Sequence, residues 1–232
     1  MRSAIAGVLT LFAFTSPDRL IAQGGSVTIA VLPFGDRGSY GQDKEVFRAL
    51  TLGIPATLVS ELSGHPTLRL AETSRILRAL QNEQSSNSRI DAATAARVGK
   101  QVGARYAVTG NFADFYGRFH LDARVVDTES GQILKVVSND DPKLQERADL
   151  YRIIQGVAHR VLEVASPDAL VSAASESERM VIPTEAISQF SLGLLYETQG
   201  DRIRAGEHYQ RALARYPNYR DAEAGIRRVR GS

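Results

Sequence analysis

The chain has 232 residues, of which 43% are hydrophobic and 23% charged, a composition typical of a globular protein rather than a disordered or fibrous one. Its 28 basic and 26 acidic side chains give a formal net charge of +2, too small an excess to attract nucleic acid. Because the sequence contains no cysteine, disulfides, thiol catalysis, cysteine-ligated metals and a lipid on cysteine are excluded, and core packing must stabilise the fold.

The N-terminus has the pattern of a secretory signal peptide. Arg2 precedes an apolar run of eleven residues, Ala4 to Phe14, which is too short for a bilayer that needs about 20 helical residues. Cleavage after Ala22 fits the pattern, although Leu20 stands where a small residue is usual. We expect residues 1–22 to be removed and the mature protein to be periplasmic, soluble and not lipidated. The alternative is a buried or amphipathic N-terminal helix.

The residues after the signal peptide alternate between strand and helix patterns. Val27 to Phe34 is a β-branched run typical of a buried strand, and the glycine-rich loop Gly35 to Gly41 follows it. Apolar residues at intervals of four predict a helix from Asp43 to Leu62, kinked at Pro55. A short strand from Leu68 to Ala71 and two short helices come next.

Three strands and one helix complete this part of the chain. The strands are predicted from Tyr106 to Phe115, from Phe119 to Asp127 and from Gln132 to Ser138, joined by tight hairpins. A helix from Lys143 to Val164 follows. The order β-α-β-α-α-β-β-β-α predicts an α/β domain over residues 27–165, with a mixed sheet covered by helices.

The C-terminal part of the sequence is helical. Residues 166–183 are rich in Ser and Ala and predict a linker, whereas residues 184–230 have helical periodicity that is broken at Gly200. Seven residues have the spacing of a tetratricopeptide repeat (TPR), a helical hairpin of about 34 residues. They are Leu192, Gly193, Tyr196, Ala205, Tyr209, Ala212 and Pro217. The segment Ala186 to Tyr219 therefore resembles one TPR, and a capping helix that ends at Arg230 follows it.

The α/β domain resembles the CsgG-like family of bacterial envelope proteins, and with it the TolB amino-terminal domain. The matching segments are residues 29–34, 58–62, 102–112, 121–127 and 128–133. The CsgG proteins of curli secretion are lipidated pores, but this chain has no cysteine and carries Asp122, Arg124 and Asp127 in its strands, where a bilayer would penalise them. The resemblance therefore implies a soluble adaptor or accessory factor in outer-membrane assembly, surface-structure assembly or secretion.

No pattern in the sequence indicates an active site. The four histidines lie far apart in sequence, and no two have the spacing of a shared metal site. A Gly-x-Ser-x-Gly elbow and a Walker lysine are both missing. We therefore expect a protein that is not an enzyme, with no catalytic residues, no cofactor and no metal.

The first functional hypothesis is protein–protein interaction in the cell envelope. In the TPR pattern, the groove-facing residues of the first helix are Ile187, Phe190, Leu194, Glu197 and Thr198. This mostly apolar set favours an apolar or helical peptide as the partner. The alternative is that Phe190 and Leu194 pack against the α/β domain, because a single repeat cannot bury its own apolar faces.

The second functional hypothesis is a periplasmic sensor of a small ligand. The loop Gly35 to Gly41 lies between a strand and a helix, where backbone amides can hold an anion or a metabolite, but it lacks a phosphate-binding lysine. A plain connection is the alternative for this loop. For partners, we expect envelope proteins, no nucleic acid and no transmembrane span. Peripheral association with the outer membrane and homo-oligomerisation are left open.

Overall fold

The structure is a computed structural model that describes residues 26–83, 90–138, 146–167 and 181–231. The predicted signal peptide, residues 1–22, and most of the predicted linker lie outside the described residues. In the described ranges, strands and helices follow one another in the predicted order. The α/β class and the mixed sheet are confirmed.

The observed elements differ from the predicted ones by a few residues at most ends. The strands are β1 (Val27–Asp36), β2 (Leu68–Leu70), β3 (Tyr106–Phe115), β4 (Arg118–Asp127) and β5 (Ile133–Ser138). The helices are α1 (Lys44–Ser63), α2 (Thr73–Asn82), α3 (Ala92–Gln101), α4 (Leu150–Ala165), α5 (Thr184–Thr198), α6 (Arg202–Arg215) and α7 (Arg220–Gly231). The helix predicted from Lys143 begins at Leu150, after a single 3-10 turn.

The five strands form one sheet in the order β2-β1-β3-β4-β5. β1 is parallel to both of its neighbours, whereas β3, β4 and β5 form an antiparallel meander. Alternate residues of β1 point to opposite faces, so that Val31 packs with α1 and α4 while Leu32 packs with α2 and α3. Both faces of the sheet are therefore covered by helices over their central part.

The C-terminal helices pack on α1. A Cβ atom added at Gly53 of α1 would lie only 1.7 Å from Ser191 Oγ and 2.6 Å from Ser191 Cβ on α5. The Tyr196 hydroxyl of α5 donates a hydrogen bond of 2.6 Å to Glu45 of α1. The missing side chain of Gly53 thus sets the distance between the two helices.

Helices α5 and α6 form a tight pair at the positions predicted from the sequence. Gly200, with φ of +80°, makes the turn between them, and Gly193 of α5 lies against the ring of Tyr209 of α6. A TPR is not confirmed, however, because one face of α5 packs on α1 and Ile187 lies within the core of the α/β domain. Among the described helices, none is both long and apolar enough to cross a membrane.

We expect Gly53→Ala to lower the free energy of unfolding by about 1–3 kcal/mol, because the new methyl group would overlap Ser191. Denaturant unfolding followed by circular dichroism measures this change. Adding Ser191→Gly should recover part of the loss. The control is Gly64→Ala, where a Cβ meets no atom within 4 Å and φ is −73°; a loss as large as that of Gly53→Ala would contradict the packing argument.

The turn between β3 and β4 has an unusual residue at its first position. Tyr116 has φ of +56° and is 85% exposed, and Gly117 follows with φ of +91°. Two successive positive φ angles are typical of a type I′ turn, which prefers Asn-Gly over an aromatic residue followed by Gly. The backbone at Tyr116 is therefore strained.

Replacing Tyr116 with Asn should raise the free energy of unfolding by about 1 kcal/mol, since Asn tolerates the left-handed conformation better. Tyr116→Ala separates the effect of removing the exposed ring from the effect of relieving backbone strain. It removes the ring but keeps a side chain that disfavours positive φ. Denaturant unfolding of both variants checks the expectation, and equal stabilities for Asn and Ala would contradict it.

Candidate functional site

A cavity of about 550 Å³ lies between the α/β part of the chain and the C-terminal helices. On this side β2 pairs only with Val27–Ile29, and the next part of β1 contributes Val31 and Pro33 to the lining. The apolar lining includes Leu52, Val59, Leu77, Phe190, Leu194 and Ala224. The polar lining includes Ser60, Glu72, Glu197, Thr198, Asp221 and Arg228.

Four of the five groove residues expected from the sequence border this cavity. Phe190, Leu194, Glu197 and Thr198 line it, whereas Ile187 is completely buried in the core of the α/β domain. Phe190 is itself 3% exposed, and its ring lies 5.0 Å from the ring of Tyr219. Phe190 therefore packs in the interior while it borders the cavity. Partner binding by these residues stays a prediction.

Glu197 holds the three C-terminal helices together. Arg228 of α7 donates two hydrogen bonds to its carboxylate, at 2.8 and 2.9 Å, and the Tyr209 hydroxyl of α6 donates another. Burial alone would raise the pKa of Glu197, but the hydrogen bonds from Arg228 and Tyr209 outweigh it and hold the pKa below its ordinary value. The Glu197 carboxylate is thus engaged inside the protein.

We expect Glu197→Gln to lower the free energy of unfolding at neutral pH by about 1–3 kcal/mol, because charge-assisted hydrogen bonds are lost. The lowered pKa means that the carboxylate stabilises the fold fully above its ordinary pKa of 4.5 and loses this effect as the pH falls toward the lowered value. Unfolding of both proteins between pH 3 and pH 7 measures the difference, which should shrink in acid. A difference that is constant with pH would contradict this assignment.

A second carboxylate, that of Asp221, borders the same cavity in a different setting. Ser60 Oγ donates a hydrogen bond of 2.6 Å to it, but no Lys, Arg or His nitrogen in the described ranges lies within 4 Å. Burial raises the pKa of Asp221, and the Ser60 hydrogen bond and the more distant Arg228 offset this only in part. Asp221 is therefore an acid in the cavity without a paired cation.

Sequence reasoning missed Asp221, and little in the sequence could have revealed it. An acidic residue in the first turn of a helix is ordinarily explained by the helix dipole. Asp221 borders the cavity because α7 packs against α1, and these two helices lie far apart in the sequence.

The loop Gly35 to Gly41, which the second functional hypothesis treats as an anion site, has its backbone donors engaged within the protein. The amides of Gly38 and Ser39 donate to the Asp36 carboxylate at 3.0 and 2.8 Å. The neighbouring amides of Arg37 and Tyr40 donate to carbonyl groups of β3 at 2.8 and 2.7 Å. The protein itself thus uses these four donors, and the Asp36 carboxylate already occupies the place of an anion.

The histidines lie apart from the cavity. His120 lies 3.1 Å from Asp122, and His159 lies 3.8 Å from Glu163, both on the surface. His208 stacks on a tyrosine ring of α5, and burial lowers its pKa. Within the described parts of the chain, no three His, Asp or Glu side chains converge in a way that could hold a metal ion.

Comparison with known proteins found no matching family model and no matching curated protein. The LpoB C-terminal domain from Salmonella enterica is 16% identical, with a TM-score of 0.37 over 50% of this chain and 82% of that chain. The hypothetical protein CT253 from Chlamydia trachomatis is 13% identical, with a TM-score of 0.40 over 62% of this chain and 100% of that one. Lipoprotein GNA1162 from Neisseria meningitidis is 14% identical, with a TM-score of 0.40 over 60% and 98%.

These findings correct the resemblance drawn from the sequence. Among the similar structures are those of LpoB, CT253 and GNA1162, and these overturn the resemblance to the CsgG-like family and, with it, to curli secretion. The physical reason is that the matching segments are mostly buried strand residues and turns, such as Gly103 and Gly131 with φ of +75° and +72°. A sheet of this kind needs such residues in any family. Family models do not support the TPR resemblance either.

Proposed function

We propose that this chain is an exported, non-enzymatic accessory protein of the cell envelope, and that it binds another protein through the cavity between α1, α5 and α7. The observation that carries the proposal is the cavity itself, with its apolar walls and polar rim. Export is supported by the signal-peptide pattern of residues 1–22.

The size of the cavity suits side chains of a partner segment rather than a whole helix. A volume of about 550 Å³ lies within the usual range for sites that enclose a small group. Partner proteins typically anchor in such sites through one or two large side chains that become fully desolvated. The cavity therefore fits a short protruding segment with apolar anchors.

The walls are held in place without a partner. The contact of Gly53 with Ser191 fixes α5 against α1, and Glu197 with Arg228 fixes α7 against α5. A pre-organised site loses little conformational entropy on binding, which favours useful affinity from a small contact area. The sensor hypothesis has less support, because the donors of its loop are engaged within the protein.

Filling the cavity should abolish partner binding. Ala224 is half-buried and lines the cavity from α7, so Ala224→Phe should place a ring in the space while leaving the core intact. A photo-crosslinking residue at Thr198, on the exposed rim, should capture a specific envelope protein in the native host. Ala224→Phe should reduce that capture at least about tenfold, the effect of 1.4 kcal/mol. Mass spectrometry of the periplasmic and membrane fractions identifies the product and its compartment.

Two controls make the crosslinking result specific. A crosslinker at Ala93, an exposed position of α3 on the other side of the sheet, should not capture the same protein. Ala93→Phe should leave capture from Thr198 unchanged. The proposal fails if both positions capture the same proteins, or if Ala224→Phe folds normally and binds as before.

A further inference from the structure

We propose that the cavity selects an apolar segment carrying a lysine or arginine side chain, and that the Asp221 carboxylate receives its cationic end. This inference rests on the proposed function, because it names the chemistry of the partner for the same site. It is carried by the position of the Asp221 carboxylate at the cavity, where Ser60 donates a hydrogen bond to it and no basic nitrogen in the described ranges lies within 4 Å of it.

The charges that border the cavity do not balance. Glu72, Glu197 and Asp221 are acidic, and Arg228 is the basic residue of the lining. Arg228 donates two hydrogen bonds to Glu197 and so compensates that carboxylate directly, whereas it acts on Asp221 without forming an ion pair within 4 Å. Glu72 and Asp221 remain without a cation within 4 Å in the described ranges, which gives the lining a net charge of about −2.

Asp221 is the better placed of the two remaining acids. Glu72 is exposed and its carboxylate accepts a hydrogen bond of 2.5 Å from Ser74, so water solvates much of its charge. Asp221 is half-buried, and Ser60 Oγ on α1 orients its carboxylate by a hydrogen bond of 2.6 Å. A carboxylate that is partly removed from water gains more from an incoming cation than an exposed one does, because the local dielectric constant is lower.

The burial of Asp221 works against its charged form in the free protein. Burial raises its pKa, which means that ionised Asp221 destabilises the folded state relative to the unfolded one. An apolar or amide side chain at this position would avoid that cost. A partly buried carboxylate beside a cavity with room for a counter-ion is the arrangement expected of a binding residue.

The combination of lining and charge defines the occupant. The apolar walls from α1 and α5 favour an occupant with methylene groups. The Asp221 carboxylate favours a cation at the end of that aliphatic chain. Lysine and arginine side chains combine both properties, since an aliphatic stem carries the charged group. An acidic segment would be repelled by Asp221 and Glu72.

Small probes test this chemistry without the partner. Octylammonium, octanol and octanoate share one apolar chain and differ in the charge at its end. Isothermal titration of the full chain should show octylammonium binding about tenfold more tightly than octanol, and octanoate more weakly than either. Asp221→Asn should abolish the preference for octylammonium over octanol and leave octanol binding unchanged.

A matched variant and a stability measurement accompany the titrations. Glu223→Gln removes an exposed acid from the same turn of α7, outside the cavity, and should retain the preference. Asp221→Asn should unfold at the same temperature as the original protein or at a higher one, so that loss of preference cannot be attributed to unfolding. Ala224→Phe should weaken all three probes.

The inference is overturned if octylammonium and octanol bind equally, if neither binds, or if Asp221→Asn keeps the preference. Its failure is distinct from failure of the proposed function. If Ala224→Phe abolishes capture of a partner but Asp221→Asn does not, the proposed function stands and the charge selection is rejected. If octylammonium binds more tightly than octanol but no protein is captured, the charge selection by the cavity stands and the proposed function is rejected.

Discussion

The close approach of α1 and α5 at Gly53 is the constraint on which the rest of the structure depends. One side of α1 covers the sheet with Leu50, Ile54 and Leu58, so this helix is already anchored. Its other side can receive α5 only because residue 53 has no side chain to separate the helices. A helix that is apolar on both sides must be buried on both. The cavity is the space that remains between α1, α5, α7, α2 and the end of β1.

Two carboxylates at the same cavity show how neighbouring acids can have different roles. Glu197 accepts hydrogen bonds from a guanidinium and a phenol, and its charge stabilises the folded protein. Asp221 has one hydroxyl donor and no paired cation in the described ranges, and its charge opposes folding. The first therefore belongs to the scaffold, whereas the second is the residue to which the proposed cation selection is assigned.

Much of the fold follows from local patterns, but the site does not. The strands and helices were predictable because alternation and four-residue spacing act within one segment. The repeat pattern led us to expect that Ile187 and Glu197 face a free groove. In the structure, Ile187 lies in the core because α5 packs on α1, and Glu197 is bound by Arg228, 31 residues later in the chain. A glycine at position 53, in the middle of a helix, was the available signal of close packing.

The proline at the floor of the cavity affects how this protein can associate with others. Beyond Ile29, β1 continues without β2 beside it, and an uncovered strand edge is a template on which another chain can extend the sheet. Pro33 lies in this stretch and has no N–H group to donate. Backbone pairing of the kind that propagates into fibres is therefore interrupted at this edge, and a segment bound as proposed would be recognised mainly by its side chains.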